Sequence, residues 1–142
     1  CKLLNIVPSL ELPSCAAATL RLIELLRPWP EAVLITISPD LPFAGPRLGA
    51  READGRAVRL SSFRSAGFAR AYGVDLVSGP LKGLLAPALL VLDARHRVLH
   101  AQLVREMSEA PDHAAALAAL RQAGTRDAAT SVAPRPVATV AA

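Results

Sequence analysis

Short apolar segments alternate with segments of helical periodicity along most of the chain. Apolar runs rich in Leu, Val and Ile between turn-forming residues are typical of strands, whereas apolar positions three and four apart are typical of helices. The pattern predicts strands at Leu3–Val7, Ala32–Ser38, Val58–Ser61, Ala88–Leu92 and Val98–Val104. It predicts helices at about Cys15–Arg27, Ser65–Tyr72 and Pro111–Ala123, with a weaker short helix at Pro42–Ala50.

Prolines and glycines set the expected limits of these elements. Pro28 should end the first helix, Gly73 the second and Gly124 the last. Strands that alternate with helices and then finish in a hairpin predict an α/β fold, with a mixed sheet covered on both faces. From Thr125 to Ala142 the chain has small residues and prolines without periodicity. We therefore expect one domain, 1–124, followed by a disordered tail, 125–142.

Cys15 is the residue with the clearest chemical potential, because it stands where the loop after the first strand meets the first helix. The N-terminus of a helix carries a positive partial charge, so a thiol there is expected to have a lowered pKa and to form the nucleophilic thiolate. The alternative is a buried structural cysteine, since free Cys is among the most buried residue types. The local sequence leaves both interpretations open.

An intrachain disulfide between Cys1 and Cys15 is not expected. The first strand separates them by roughly 20 Å, whereas the Cα atoms of a disulfide lie within about 7 Å of each other. Positions 12 and 18 hold Leu12 and Ala18, so the chain also lacks the C-x-x-C motif of thioredoxin-type dithiol oxidoreductases.

Ordered sequence blocks surround Cys15 and continue into the last predicted helix. They are Leu3–Ser9 with Cys15–Ala17, Ile37–Ala44, Leu60–Arg64, Ala71–Val74, Gly79–Leu84, and Gln102–Val104 with Glu106 and then Pro111-Asp112. Together they resemble the thiol peroxidase (Tpx) branch of the peroxiredoxin family, from residue 2 to about 123. The resemblance implies a thioredoxin-like fold with Cys15 as the peroxidatic cysteine and Pro8 in the active-site loop. It also implies a β-hairpin before the first strand. Because the chain begins at Cys1, we expect a truncated gene, an internal start or a fragment.

Three positions depart from the family pattern where its chemistry resides. Leu12 stands in place of a threonine whose hydroxyl hydrogen-bonds the thiolate and the incoming peroxide. Pro87 stands in place of an arginine beside the thiolate, and proline carries neither a charge nor a backbone N–H. Gly49 stands in place of the resolving cysteine of atypical two-cysteine members. Among the positions that carry the family's chemistry, Cys15 and Pro8 are the two that keep the family residue.

The resemblance implies a thiol-dependent peroxidase that reduces hydrogen peroxide or organic hydroperoxides through a Cys15 sulfenic acid. We expect a weakened enzyme, because removal of one donor that stabilises developing charge typically costs about 10²–10³-fold in rate. The resemblance also implies a homodimer, recycling by thioredoxin or another thiol reductant, and no cofactor. The alternative is a non-catalytic thioredoxin-fold module or thiol sensor descended from a Tpx. Arg21, Arg47 or Arg64 close to the Cys15 sulfur would favour the enzyme.

The composition argues against other classes of function. The formal net charge of the 142 residues is +4, but basic residues are interleaved with acidic ones rather than clustered with aromatic residues. A nucleic-acid interface is therefore not expected. No apolar run approaches the roughly 20 residues that span a membrane, so we expect no membrane association and a cytoplasmic location. His96 and His100 have no neighbouring cluster of Cys or His, so no metal site is expected.

Overall fold

Strands and helices alternate along the described residues, 1–43, 55–106 and 109–130, of a computed structural model, in which side chains are described as far as residue 123. In chain order the elements are β1 (Lys2–Ile6), α1 (Pro13–Leu25), β2 (Val33–Ser38), β3 (Ala57–Ser61), α2 (Phe68–Tyr72), β4 (Ala88–Leu92), β5 (Val98–Leu103) and α3 (His113–Thr130). The predicted strands are confirmed, since none differs from the observed strand by more than one residue at either end. Most of the predicted short helix at Pro42–Ala50 lies outside the described residues.

The strands form one mixed sheet with the order β3-β2-β1-β4-β5. Strands β1, β2 and β3 are parallel, while β4 is antiparallel to both β1 and β5. Within this register Asn5 of β1 lies between Thr36 of β2 and Leu89 of β4. The loops that follow β1, β2 and β3 therefore leave the sheet at the same edge, since parallel strands end together.

Side chains of β1 alternate between the two faces of the sheet, and each face carries its own core. The face of Leu3 packs against α1 and α3 in the cluster Leu3, Leu22, Leu26, Ala32, Leu34, Leu89, Val91, Ala116 and Leu120. The opposite face packs against α2 in the cluster Leu4, Ile6, Ile37, Val74, Leu85, Ala86 and Ala88. The predicted α/β architecture, with helices on both faces of a mixed sheet, is thus confirmed.

The ends of α1 and α2 largely follow the sequence signals. Helix α1 ends at Leu25, before the proline predicted to stop it, and Gly73 ends α2 in a left-handed conformation with φ of 66°. Helix α2 begins at Phe68 rather than Ser65, because the preceding residues form hydrogen-bonded turns from Ser62 and Ser65. Among the described residues, no helix combines the length and the apolar character needed to cross a membrane.

The prediction that Gly124 ends the last helix is wrong, because α3 continues to Thr130. A glycine inside a helix costs only about 1 kcal/mol relative to alanine. Here Ala123 precedes it and further alanines follow, and alanine is the strongest helix former. Residues 125–130, assigned to a disordered tail from the sequence, are therefore helical. The rest of that predicted tail, 131–142, lies outside the described residues.

The first residue of α3 makes stability sensitive to acid. The Nε2 atom of His113 is buried without a hydrogen-bond partner. Burial lowers the pKa of His113, and the nearby Arg21 acts in the same direction while Asp112 opposes it. The unfolded chain therefore binds a proton more readily than the folded chain as the pH falls through about 6.5, the ordinary histidine value.

We predict that the free energy of unfolding decreases as the pH falls from 7.5 to 5.5, and that His113→Gln makes this decrease smaller. Urea denaturation at several pH values measures both effects. His96→Gln, which replaces a histidine on the exposed turn between β4 and β5, should retain most of the decrease. An equal loss of stability in the native chain and in His113→Gln would contradict this account.

Candidate active site

The candidate site lies where the loop after β1 enters α1. Leu12 occupies the N-cap in an extended conformation (φ −75°, ψ 124°), and no side chain caps the helix. Pro13 fills the first helical position, where a missing N–H removes no intrahelical bond. Cys15 is therefore the third residue of α1, in its first turn, as the sequence predicts.

The carboxylate of Asp40 attaches this loop to the end of β2. Its Oδ1 accepts a hydrogen bond from the Ser9 hydroxyl at 2.7 Å, and its Oδ2 accepts one from the Leu10 backbone N–H at 2.7 Å. The Ser38 hydroxyl donates to the same Oδ2 at 2.8 Å, and the Ser61 hydroxyl donates to the Asp40 carbonyl at 2.6 Å. Asp40 thus ties the Cys15 loop to the carboxyl ends of both β2 and β3.

A buried polar chain fixes α1 on the other side of the site. The amide nitrogen of Asn5 donates to the hydroxyl of Thr19 at 2.9 Å, and it lies 3.5 Å from the hydroxyl of Thr36. Thr19 in turn donates to the backbone carbonyl of Cys15 at 2.8 Å. Buried polar groups whose hydrogen bonds are all made are held in one geometry. These hydrogen bonds therefore fix the first turn of α1 against β1.

A pocket of about 90 Å³ opens beside Cys15. Its described lining comes from β1 and its end, from α1, from the start of β4 and from the segment before α3: Asn5, Ile6, Val7, Ser14, Cys15, Ala18, Pro87, Ala88, Glu109, Ala110 and Pro111. Cys15 itself is only 7% exposed. The predicted proximity of Cys15 to the start of β4 is confirmed, because Cys15, Pro87 and Ala88 line the same pocket.

The expectation that the helix terminus lowers the pKa of the Cys15 thiol is wrong. Burial raises this pKa, since the thiolate loses hydration, and the Asp40 carboxylate raises it further. Hydrogen bonds from the Ser14 side chain and the Ser9 backbone favour the thiolate but do not outweigh burial. At neutral pH the thiol form is therefore the dominant state of Cys15.

The other positions singled out from the sequence lie in different surroundings. Pro8 is fully buried, while Leu12 is 37% exposed and does not line the pocket. Arg21 faces Glu24 on the surface of α1, 3.8 Å away, and Arg64 is exposed. No arginine of the described residues lines the pocket or shifts the Cys15 pKa. Gly49 and Arg47 lie outside the described residues.

The two thiols of the chain are separate. Cys1 and Cys15 form no disulfide with each other, and they lie beyond opposite ends of β1. Cys1 is partly buried and packs against the core cluster shared by α1 and α3. Among the described residues, no group of three or more Cys, His, Asp or Glu side chains could hold a metal ion.

Comparison with known proteins decides the family. The Redoxin family model matches residues 1–120. The chain belongs to the redoxin family. It is 39% identical, over 118 residues, to a thiol peroxidase of Mycobacterium bovis, an alignment that covers 83% of this chain and 70% of the relative.

Solved structures extend the comparison to the fold. A peroxiredoxin-like protein from Aquifex aeolicus matches with a TM-score of 0.75 and 30% identity, over 85% of this redoxin and 70% of that chain. A thiol peroxidase from Chromobacterium violaceum matches with a TM-score of 0.74 and 28% identity, over 89% and 73% of the two chains. These relatives confirm the thioredoxin-like peroxiredoxin fold and the Tpx branch, and they support thiol-dependent peroxidase function.

Sequence reasoning missed Asp40, Asn5 and Glu109 as parts of the site. Asp40 has a signal beyond the block that resembles the family, because it lies two residues after a parallel strand, at the end of the sheet where α/β proteins place their sites. Asn5 had a usable signal, because a polar residue inside an apolar strand requires a buried partner. Glu109 had none, since only the fold brings it to the Cys15 pocket.

We predict that Ser14→Ala raises the pKa of Cys15 further, because it removes a hydrogen bond that favours the thiolate. The alkylation rate of Cys15 by iodoacetamide at pH 7.5 should fall several-fold, and its pH midpoint should move upward. Both are measured by mass spectrometry in a Cys1→Ser background. Ser78→Ala, at an exposed serine outside the pocket, should change neither value. An unchanged midpoint in Ser14→Ala would show that this hydroxyl does not act on the thiolate.

Proposed function

We propose that this redoxin reduces peroxides with Cys15 as its peroxidatic nucleophile. The supporting observation is a cysteine in the first turn of α1, which receives two hydrogen bonds that favour its thiolate and lines a small pocket. The thiolate attacks one oxygen of the peroxide, so that an S–O bond forms as the O–O bond breaks. The departing oxygen takes up a proton and leaves as water or an alcohol, while Cys15 becomes a sulfenic acid.

The proposed enzyme is slow for two physical reasons. Burial and the Asp40 charge keep the thiolate fraction of Cys15 small near neutral pH. Pro87 presents no charge and Leu12 no hydroxyl, so the two family groups that would stabilise the departing oxygen are missing. The Ser14 side chain and the Ser9 backbone N–H remain as donors at the sulfur.

The catalytic cycle we propose depends on an external thiol. Cys1 lies beyond the opposite end of β1 and cannot reach a Cys15 sulfenic acid without unfolding the strand. Position 49 is a glycine, so it cannot form a disulfide with Cys15. Peroxiredoxins use thioredoxin-type reductants, and we propose thioredoxin or another thiol for this step. A cytoplasmic location is consistent with such a cycle, because thiols are kept reduced there.

We further propose that the chain forms a homodimer through apolar side chains next to the Cys15 loop. Leu41 and Leu60, which are 50% and 51% exposed, line one groove with Leu10. Phe43 and Phe63, nearby in the chain, are 86% and 65% exposed. Four large apolar side chains exposed to this extent favour burial against a partner.

The second candidate function is a thiol sensor or a non-catalytic thioredoxin-fold module. The raised pKa of Cys15 favours it, because a thiol that is mostly protonated reacts slowly with peroxide. The two functions differ in one property. A peroxidase turns over repeatedly when a thiol reductant is supplied, whereas a sensor is oxidised once and its oxidised cysteine is reduced slowly.

We predict that Leu12→Thr combined with Pro87→Arg raises the rate of Cys15 oxidation by hydrogen peroxide, on the order of 10²-fold. The double variant should gain more than either single variant, because both groups stabilise one departing oxygen. Stopped-flow measurements with hydrogen peroxide and cumene hydroperoxide give the rates. Pro87→Gln, which removes the proline without adding a charge, is the matched control and should gain little.

Two further variants test which cysteine consumes the peroxide. Cys15→Ser should abolish peroxide consumption, and Cys1→Ser should leave it unchanged. In the native chain, dimedone should label Cys15 after oxidation, because no second cysteine resolves the sulfenic acid. A Cys15 that oxidises no faster than free cysteine, with no gain in the double variant, would support the sensor or the non-catalytic module.

A further inference from the structure

Glu109 is the one charged side chain among the described residues that line the Cys15 pocket. It lies in the segment between β5 and α3, beside Ala110 and Pro111, and it is exposed to solvent at the edge of the pocket. No cation of the described residues forms an ion pair with it. The rest of the described lining is uncharged and mostly apolar, so Glu109 carries the one formal charge among these residues, and it is negative.

A different carboxylate, that of Asp40, acts on the Cys15 sulfur. Asp40 accepts hydrogen bonds from Ser9 and Leu10 of the Cys15 loop, and its negative charge disfavours ionisation of the thiol. Pro87 in the pocket lining is uncharged, and no positively charged side chain of the described residues lines the pocket to balance the Asp40 carboxylate. The formal charges that the described residues place at the pocket and at the sulfur are therefore negative, although the chain as a whole carries a formal net charge of +4.

We propose that Glu109 is a specificity-determining residue, which makes the Cys15 pocket select uncharged hydroperoxides over hydroperoxides that carry a carboxylate. The inference rests on the proposed peroxidase function for its substrate, but the selection itself acts on any reagent that approaches the thiol. A carboxylate that enters the pocket passes the like charge of Glu109 at the solvent-exposed edge and is repelled by it. An uncharged alkyl hydroperoxide enters without repulsion and buries its alkyl group against the apolar lining.

The selection can be measured without peroxide, by alkylating Cys15 with neutral iodoacetamide and anionic iodoacetate in a Cys1→Ser background. The ratio of the two rates cancels any change in the thiolate fraction. We expect Glu109→Gln to raise the iodoacetate rate relative to the iodoacetamide rate by roughly three- to tenfold. Glu106→Gln removes the same charge from an exposed residue of the same segment that does not line the pocket, and should leave the ratio unchanged.

The native chain provides a test that needs no substitution at Glu109. Raising the salt concentration from 0.05 to about 0.5 M should increase the iodoacetate rate relative to the iodoacetamide rate, because salt screens exposed charges. The increase should be smaller in Glu109→Gln than in the native chain. Equal salt effects in the two proteins, or an unchanged ratio in Glu109→Gln, would overturn the inference.

The oxidation of Cys15 by charged and uncharged hydroperoxides tests whether the same selection acts on the proposed substrates. We expect tert-butyl hydroperoxide to oxidise Cys15 faster than an analogue with an added carboxylate, and Glu109→Gln to narrow the difference by the factor measured with the alkylating agents. A shifted alkylation ratio without oxidation of Cys15 by either peroxide would refute the peroxidase while supporting selection by Glu109. Oxidation of Cys15 with no effect of Glu109→Gln on either ratio would refute the selection and support the peroxidase.

Discussion

The carboxylate of Asp40 is the contact on which the geometry of the site depends. It holds Ser9 and Leu10 in place from the end of β2, and the backbone N–H of that same Ser9 donates to the Cys15 sulfur. The cost of this arrangement is electrostatic, because a negative charge close to the sulfur opposes formation of the thiolate. One residue therefore orients the nucleophile and also restrains its ionisation.

Opposing effects of different size act on the pKa of the Cys15 thiol. Burial is the largest and raises the pKa, the donors at Ser14 and Ser9 lower it, and Asp40 raises it slightly more. A guanidinium in the pocket would counter both burial and Asp40, since an opposite charge favours the ionised form. Pro87 lines the pocket, and no arginine of the described residues does, so the described part of the site supplies no such charge. Among the described lining residues, Glu109 carries the one formal charge.

The sheet and its helices could be predicted from the sequence because each depends on local pattern. Runs such as Leu3–Val7 are apolar except for Asn5, and strands buried on both faces of the sheet require such runs. The end of α3 could not be predicted, because the cost of Gly124 is small against the helix that continues beyond it. At the site, Cys15 and Pro87 could be paired only through family resemblance. Asp40 acts on the thiol and Glu109 lines its pocket, although each lies more than twenty residues from Cys15 along the chain, and no local pattern predicts such proximity. The sign of the Cys15 pKa shift was missed for a related reason, since burial is a property of the whole fold and outweighs the local helix terminus.

The most direct test of the central claim is the pH dependence of Cys15 oxidation by hydrogen peroxide, followed by intact mass in a Cys1→Ser background. The account predicts that Cys15 becomes a sulfenic acid and that the rate rises with pH, to a midpoint above the ordinary thiol value of about 8.5. A rate already at its maximum near neutral pH would contradict the claim that burial and Asp40 restrain the thiolate. Failure of peroxide to oxidise Cys15 at any pH would contradict its role as the nucleophile.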